Sequence, residues 1–274
     1  MIAVSIDGVL VPPEHAAISV FDRGLLFGDG LFEILRTWDG IAVDLEAHLD
    51  RLYEAAARLQ IKAMNRELLA ASVQRAITAA AAGEHRIRII LTRGPGPLVA
   101  RIAALGPGRA IVIVEPLPPQ SPQLTLAVVD WPLPRRNRPG AKTLAYLDHI
   151  LARELAADAG ADEGIRLDHE GNVVEGATSN IFAVRSGTVI TPAIDEGVLP
   201  GITRARVLAI CDRLGIATAV RTLPLSELQA ADELFVTSAL RGVVAVTRLD
   251  GVSRTAGPIS AQIADEYERV MSET

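Results

Sequence analysis

The chain has 274 residues, 49% hydrophobic and 22% charged, which fits a globular protein with a sizeable core and excludes a disordered one. A net charge of −6, with arginines scattered among acids, excludes a nucleic-acid footprint. The single cysteine, Cys211, excludes an internal disulfide framework and a cysteine-rich zinc site.

The apolar runs are too short to span a bilayer, and Met1 to Asp7 has no basic region ahead of an apolar run. The expected location is the cytoplasm. Strands are expected at Ile2 to Ile6 and Val9 to Val11, turned by Asp7-Gly8. Phe27-Gly28-Asp29-Gly30-Leu31 reads as a turn, too weak a pattern for a phosphate loop. Leu45, Leu49, Leu52, Ala56 and Leu59 recur at helical spacing after Asp44, an expected N-cap. Asn65 opens a second helix to about Ala82, and Arg86 to Leu91 reads as a partly buried strand. Pro116 to Pro122 separates two strand-like runs, Ala110 to Glu115 and Leu124 to Val129, and is too rich in proline to continue either. It divides the chain into a domain at 1–116, a linker at 117–123 and a domain at 124–274.

The second half opens with a helix from about Leu144 to Ala159, stopped by Gly160. Strands Gly164 to Asp168 and Val173 to Glu175 flank a turn at His169 to Asn172. Ile181 to Val184 and Thr188 to Thr191 flank Arg185-Ser186-Gly187. Pro200-Gly201-Ile202-Thr203 opens a helix to about Leu214, and Glu233 to Thr237 is a further strand. Helices and strands mix without regular alternation, so the fold class is α+β.

Only Lys62 and Lys142 are lysines among the 27 Lys+Arg residues. A lysine amine can form a Schiff base with a carbonyl compound, which arginine cannot. Lys142, just ahead of a helix, is the candidate, although codon bias also thins lysine. Lys62 fits a solvated surface residue. Glu175 ends an apolar strand before Gly176-Ala177-Thr178-Ser179-Asn180, where a carboxylate can pair with a protonated ring nitrogen; on residue type alone a solvent-facing acid is commoner. The Gly201-Ile202-Thr203 helix start offers free N–H groups and a hydroxyl to a phosphate, or is a simple cap. Ser238 adds a hydroxyl at a strand end. Arg51 can bind a phosphate bidentately or lie on the surface, and His48 shares its helix face at i, i+3. His15, His85, His149 and His169 read as structural, and no residue spacing forms a metal site.

Asp168 to Phe182, Leu199-Pro200-Gly201-Ile202-Thr203-Arg204 and Phe21-Asp22-Arg23-Gly24 to Gly30, taken in order, resemble the class IV aminotransferases. These are fold-type-IV pyridoxal 5'-phosphate enzymes that include D-amino-acid and branched-chain aminotransferases and 4-amino-4-deoxychorismate lyases. The resemblance covers nearly the whole chain. It implies a two-domain α+β fold, smaller N-terminal and larger C-terminal, with the cofactor between them. It also implies a homodimer whose partner loop helps close the site. Lys142 would hold the cofactor through a Schiff base and move the proton at the substrate Cα. Glu175 would face the ring nitrogen. Arg51, Ile202, Thr203 and Ser238 would hold the phosphate, and Tyr146 would reach the phenolic oxygen. Ser179, Asn180 and Ala239 complete the cofactor-binding set.

Departures from the family bear on substrate. Phe32 stands where bacterial D-amino-acid aminotransferases carry tyrosine. Pro95 to Arg101 lacks their Arg-x-His carboxylate trap, although Thr92-Arg93-Gly94 precedes it. Ala239 stands where branched-chain enzymes carry threonine, and Ser238-Ala239-Leu240 is nearer to the lyases. A desolvated substrate carboxylate needs a cationic partner. Arg241, Arg23 and Arg101 are the replacements, with Arg241 preferred and a surface salt bridge its alternative. The expected reaction is transamination between an amino acid, D-amino acids favoured, and a 2-oxo acid. The alternative is 4-amino-4-deoxychorismate lyase, giving pyruvate and 4-aminobenzoate. A branched-chain L-amino-acid aminotransferase ranks behind both.

Overall fold

The structure, a computed structural model, describes residues 2–131 and 140–273. It falls into two compact units, Met1–Pro119 with Ala141–Tyr146, and Gln120–Gly140 with Leu147–Thr274. The lysine segment therefore groups with the first unit; Pro139, its first residue, lies outside the described residues.

In the first unit, β1 (Ala3–Ile6) and β2 (Val9–Val11) form the expected hairpin. Asp7 and Gly8 both take positive φ, 49° and 85°, as a tight two-residue turn requires. There follow α1 (Arg23–Phe27), β3 (Gly30–Trp38), β4 (Ile41–Ala42), α2 (Leu45–Arg58), α3 (Arg66–Ala79), β5 (His85–Thr92) and β6 (Arg109–Pro116). The six strands make one antiparallel sheet in the order β2-β1-β6-β5-β3-β4. Helix α2 packs on β3, and α3 on β1 and β6. Leu35, Leu49, Leu52, Leu69, Val73, Ile87 and Ile89 fill the core, each contributing about 1.5–3 kcal/mol by burial.

Asn65 caps α3 as expected, its Oδ1 accepting from Leu68 N at 3.0 Å, and the helix stops at Ala79, short of Ala82. Asp44 stands at the N-cap of α2 but takes the left-handed conformation, φ 53°, and its side chain makes no capping bond.

The second unit contains β7 (Gln123–Val128), α4 (Leu147–Asp158), β8 (Glu163–Leu167), β9 (Asn172–Gly176), β10 (Asn180–Arg185), β11 (Thr188–Thr191), α5 (Ile202–Leu214), β12 (Thr218–Val220) and β13 (Leu223–Pro224). It ends with α6 (Leu225–Gln229), β14 (Glu233–Ser238), β15 (Gly242–Leu249), β16 (Val252–Ser253) and α7 (Pro258–Ser272). Its mixed sheet runs β12-β11-β10-β14-β15-β7-β8-β9-β13, with β16 pairing β15. Strand β10 lies inside the sheet and is buried along all but its last residue, which explains its unbroken apolar run. Helix α7 packs on β15 and α5, and its N-terminus is capped from outside: Glu233 on β14 accepts from Ile259 N at 3.1 Å and Ser260 N at 2.7 Å. The fold class is the expected α+β.

Helix α4 begins at Leu147, three residues after the expected start. Residues 142–144 pair with β3 instead. Phe32 N donates to Lys142 O at 2.9 Å, Leu144 N donates to Gly30 O at 3.0 Å, and Leu31 bridges Thr143. Strand pairing supplied by another element overrides the local helical pattern.

Candidate active site

In the first unit the glycines of Phe27-Gly28-Asp29-Gly30 make room for the lysine segment. A Cβ on Gly30 would lie 2.6 Å from Leu91 O and 2.6 Å from Leu144 Cδ1. Gly28 caps α1 at φ 62°, and a Cβ there would lie 2.9 Å from Ala145 N. The motif thus seats a backbone rather than a phosphate.

So held, the Lys142 Nζ lies 4.9 Å from the Phe32 ring centroid and 5.8 Å from that of Tyr146. The two rings meet edge to face, 5.1 Å apart. The Arg88 guanidinium lies 4.3 Å from the same Phe32 ring. Arg88 makes no ion pair among the described residues, and burial lowers its pKa from the ordinary arginine value. An amine and a half-buried guanidinium thus both reach the Phe32 ring.

Arg51 meets Glu33 bidentately, Nε to Oε1 at 2.9 Å and Nη2 to Oε2 at 2.6 Å, and His48 Nδ1 lies 2.7 Å from Oε2. Burial resists ionisation of Glu33, but the Arg51 charge and the bonds from His48 and Arg51 outweigh it, and the carboxyl is held at about 2. The expected sharing of one face by His48 and Arg51 is met, with Glu33 as the bridge. Arg23 is tied to Asp29, Nε to Oδ2 at 3.0 Å, and to Pro97 O at 3.3 Å. Arg93 also grips Asp29, and spends its other nitrogens on Gln60 O and Leu59 O. Burial raises the Asp29 pKa, but the bonds from Arg93 and Arg23 carry it below the ordinary value. Arg101 is exposed. Lys62 is less free than a solvated lysine: its Nζ donates to Leu105 O at 2.6 Å.

In the second unit Glu175 is 7% exposed and held on both oxygens. Arg166 Nη2 donates to Oε1 at 2.9 Å and Leu199 N donates to Oε2 at 3.0 Å. Leu199 O in turn accepts from Asn180 Nδ2 at 3.1 Å. One backbone residue thus ties Glu175 and Asn180 to the lead-in of α5. A Cβ on Gly201 would run into the Asn180 side-chain amide, so a larger residue at this N-cap requires Asn180 to shift; no side-chain bond caps the helix. Thr203 is buried in its first turn. The Ser179 and Thr237 hydroxyls are buried with no hydrogen-bond partner among the described residues. Asn180 stands opposite Thr237 across β10 and β14, and Ser238 and Ala239 follow.

Arg241 Nη1 lies 3.4 Å from Glu163 Oε2, and its side chain is 28% exposed. The buried Glu163 also accepts from Thr178 N at 3.0 Å and Thr178 Oγ1 at 2.5 Å. Ion pairing, the alternative to a carboxylate-binding role, is therefore present at Arg241.

Four charged residues here escape sequence reasoning. Glu33 and Glu163 follow no motif. Arg88 was visible as the second arginine of an alternating strand. Arg166, between Ile165 and Leu167, was visible as a charge inside an apolar strand, a placement that demands a partner.

A family model described as amino-transferase class IV matches residues 30–249. A Methanocaldococcus jannaschii protein, provisionally named a branched-chain-amino-acid aminotransferase, is 34% identical over 97% of this chain and 96% of its own. A D-alanine aminotransferase from Bacillus licheniformis is 28% identical over 99% of this chain and 98% of its own. The solved 4-amino-4-deoxychorismate lyase from Pseudomonas aeruginosa superposes with a TM-score of 0.88 at 32% identity, covering 97% of this chain and 98% of that one. The chain therefore belongs to the class IV aminotransferases, a family of pyridoxal-phosphate-dependent enzymes.

Proposed function

We propose that this protein is a transaminase that exchanges an amino group between an amino acid, D-amino acids favoured, and a 2-oxo acid. The observation that carries the reading is the Phe32 ring shared by Lys142 and Arg88. An amine able to bond a carbonyl carbon and a guanidinium with no ion pair among the described residues reach the same ring, and every amino or oxo acid brings a carboxylate. D-alanine aminotransferases match over almost the whole chain, and Thr92-Arg93-Gly94 resembles theirs.

The residues fit pyridoxal 5'-phosphate. Its phosphate is matched by the α5 start, which has no side-chain cap, and by the Ser179 and Thr237 hydroxyls, which have no partner among the described residues, and its ring nitrogen by a fixed carboxylate. When bound, it supplies an electrophilic carbon and a ring that stores an electron pair. Lys142 would be joined to that carbon with loss of water, and, once the substrate amine displaces it, its freed amine would carry the proton at the substrate Cα. Glu175 meets the ring nitrogen, and Tyr146 orients the ring oxygen. Arg51, Ile202 N–H, Thr203 and Ser238 hold the phosphate, with Ser179, Asn180 and Ala239 lining it. Arg88 receives the substrate carboxylate, and Arg241, Arg23 and Arg101 are further candidates for it.

The first unit exposes Val20, Phe21, Leu25, Phe27 and Val99, an apolar surface fit for a second copy of this chain. We read the protein as a cytoplasmic homodimer, a state checked by light scattering.

The second reading, 4-amino-4-deoxychorismate lyase, is favoured by Ser238-Ala239-Leu240 and by the similarity to the Pseudomonas aeruginosa lyase. Incubation with D-alanine plus 2-oxoglutarate, against 4-amino-4-deoxychorismate alone, separates the two. Transamination predicts D-glutamate and pyruvate from the first mixture. Release of 4-aminobenzoate from the second, with no transfer in the first, would replace it by the lyase.

A further inference from the structure

Arg166 is 1% exposed, yet it bonds through a single nitrogen. Nη2 reaches Glu175 Oε1, while Nε and Nη1 are buried with no partner among the described residues. It stands directly opposite Glu175 in the β8–β9 register, and the pairing slips immediately after it. A buried arginine kept for structure spends its donors on neighbours, as Arg93 does. What Arg166 delivers is one permanent charge, aimed at one carboxylate.

We infer that Arg166 is a positioning residue that sets where the proton shared by Glu175 and the ring nitrogen resides. This rests on the reading that Glu175 meets that nitrogen. Two partitions are open to one proton in such a pair. It sits on the nitrogen beside a carboxylate, or on the carboxyl beside a neutral ring. A cation raises the energy of the proton at both places, and more at the nearer one. Arg166 touches Glu175, so the carboxylate is the nearer one and the proton is driven onto the ring. A protonated ring is the stronger electron sink. Leu199 N–H on the other oxygen acts in the same sense, because an N–H donor favours the charged carboxylate.

The test uses the holoenzyme reconstituted with cofactor labelled with ¹⁵N in the ring. Nitrogen NMR distinguishes a protonated from a neutral ring nitrogen. Wild type and Arg166→Lys, which keeps the charge, are expected to give the protonated shift. Arg166→Met and Arg166→Gln are expected to move toward the neutral shift, as Glu175→Gln does. In parallel kcat is expected to fall about tenfold, with KM changed by less than about twofold. The two uncharged variants guard against one that fails to fold. A protonated shift in both of them, with Glu175→Gln neutral, overturns the inference about Arg166. A protonated shift in Glu175→Gln overturns the reading of Glu175 itself.

Discussion

Phe32 holds Lys142 twice: its backbone N–H donates to the lysine carbonyl at 2.9 Å, and its ring centroid lies 4.9 Å from Nζ. The backbone bond fixes where the lysine leaves the chain, and the ring gives its side chain a surface. Lys142→Ala and Lys142→Arg should both lose the borohydride-fixed cofactor adduct, measured by mass spectrometry of the reduced protein. Arginine fails here because a guanidinium stays protonated. Lys62→Arg should retain the adduct, since its role is a donor bond to Leu105 O.

Gly30→Ala should act on the same lysine from behind. The new Cβ would meet Leu91 O, a backbone atom inside a strand that cannot swing aside. A cost of about 1–3 kcal/mol is expected, read as a lower thermal midpoint of the cofactor-free protein. Because the segment that must yield is 142–144, cofactor capture should slow as well. A normal rate of capture would show that the segment tolerates displacement.

Arg88→Ala should raise KM for the amino and oxo acid by about 10–100-fold, as loss of a bond to a charged group costs about 1.5–3 kcal/mol. Cofactor affinity, followed by absorbance titration, should be unchanged. Arg101→Ala, at an exposed position, is the comparison. If only the Arg101 variant loses substrate, the carboxylate site lies there instead.

Glu33 makes part of the stability acid-labile. Its carboxyl is depressed from 4.5 to about 2, so its contribution is fully present above pH 4.5 and is lost as pH falls toward 2. That gap corresponds to about 3 kcal/mol. Denaturant titrations of the wild type should show the loss within this window. Glu33→Gln should be weaker at neutral pH and flatter through the window, since it removes the negative charge and one of the two acceptor oxygens that face Arg51 and His48.

Cys211 is fully buried on α5, and burial pushes its thiol up to about 11. A thiol reagent should label it only as fast as the protein opens, and at the full rate in denaturant.

Much of this was legible because the signals are local. The Asp7-Gly8 hairpin, the Asn65 cap and the start of α5 after Pro200-Gly201 each depend on a few neighbouring residues. Strand β3 was not legible, because its pattern serves two faces. Phe32 packs with Lys142 while Glu33 is buried among Arg51 and His48, so no clean alternation survives. Helix α7 was hidden for another reason. Its cap is Glu233, on a strand well before it, and locally only Pro258 at its first position marks its start. In the candidate site, Lys142, Glu175 and the α5 start were readable as motif. Arg88 and Arg166 belong to no motif: each shows in the sequence as a charge within a strand, but what it does needed the fold to show what surrounds it.

The return of residues 141–146 to the first unit sets an order of events during synthesis. The β3 positions that receive Lys142 and Leu144 are made early, but their partners are translated only after β7. A nascent first unit therefore waits, with Phe32 N–H and Gly30 C=O unpaired, until the ribosome has moved on into the second. The same order forbids a simple dissection. A fragment ending at Pro119 would carry the glycines that seat the Lys142 segment, and not the lysine.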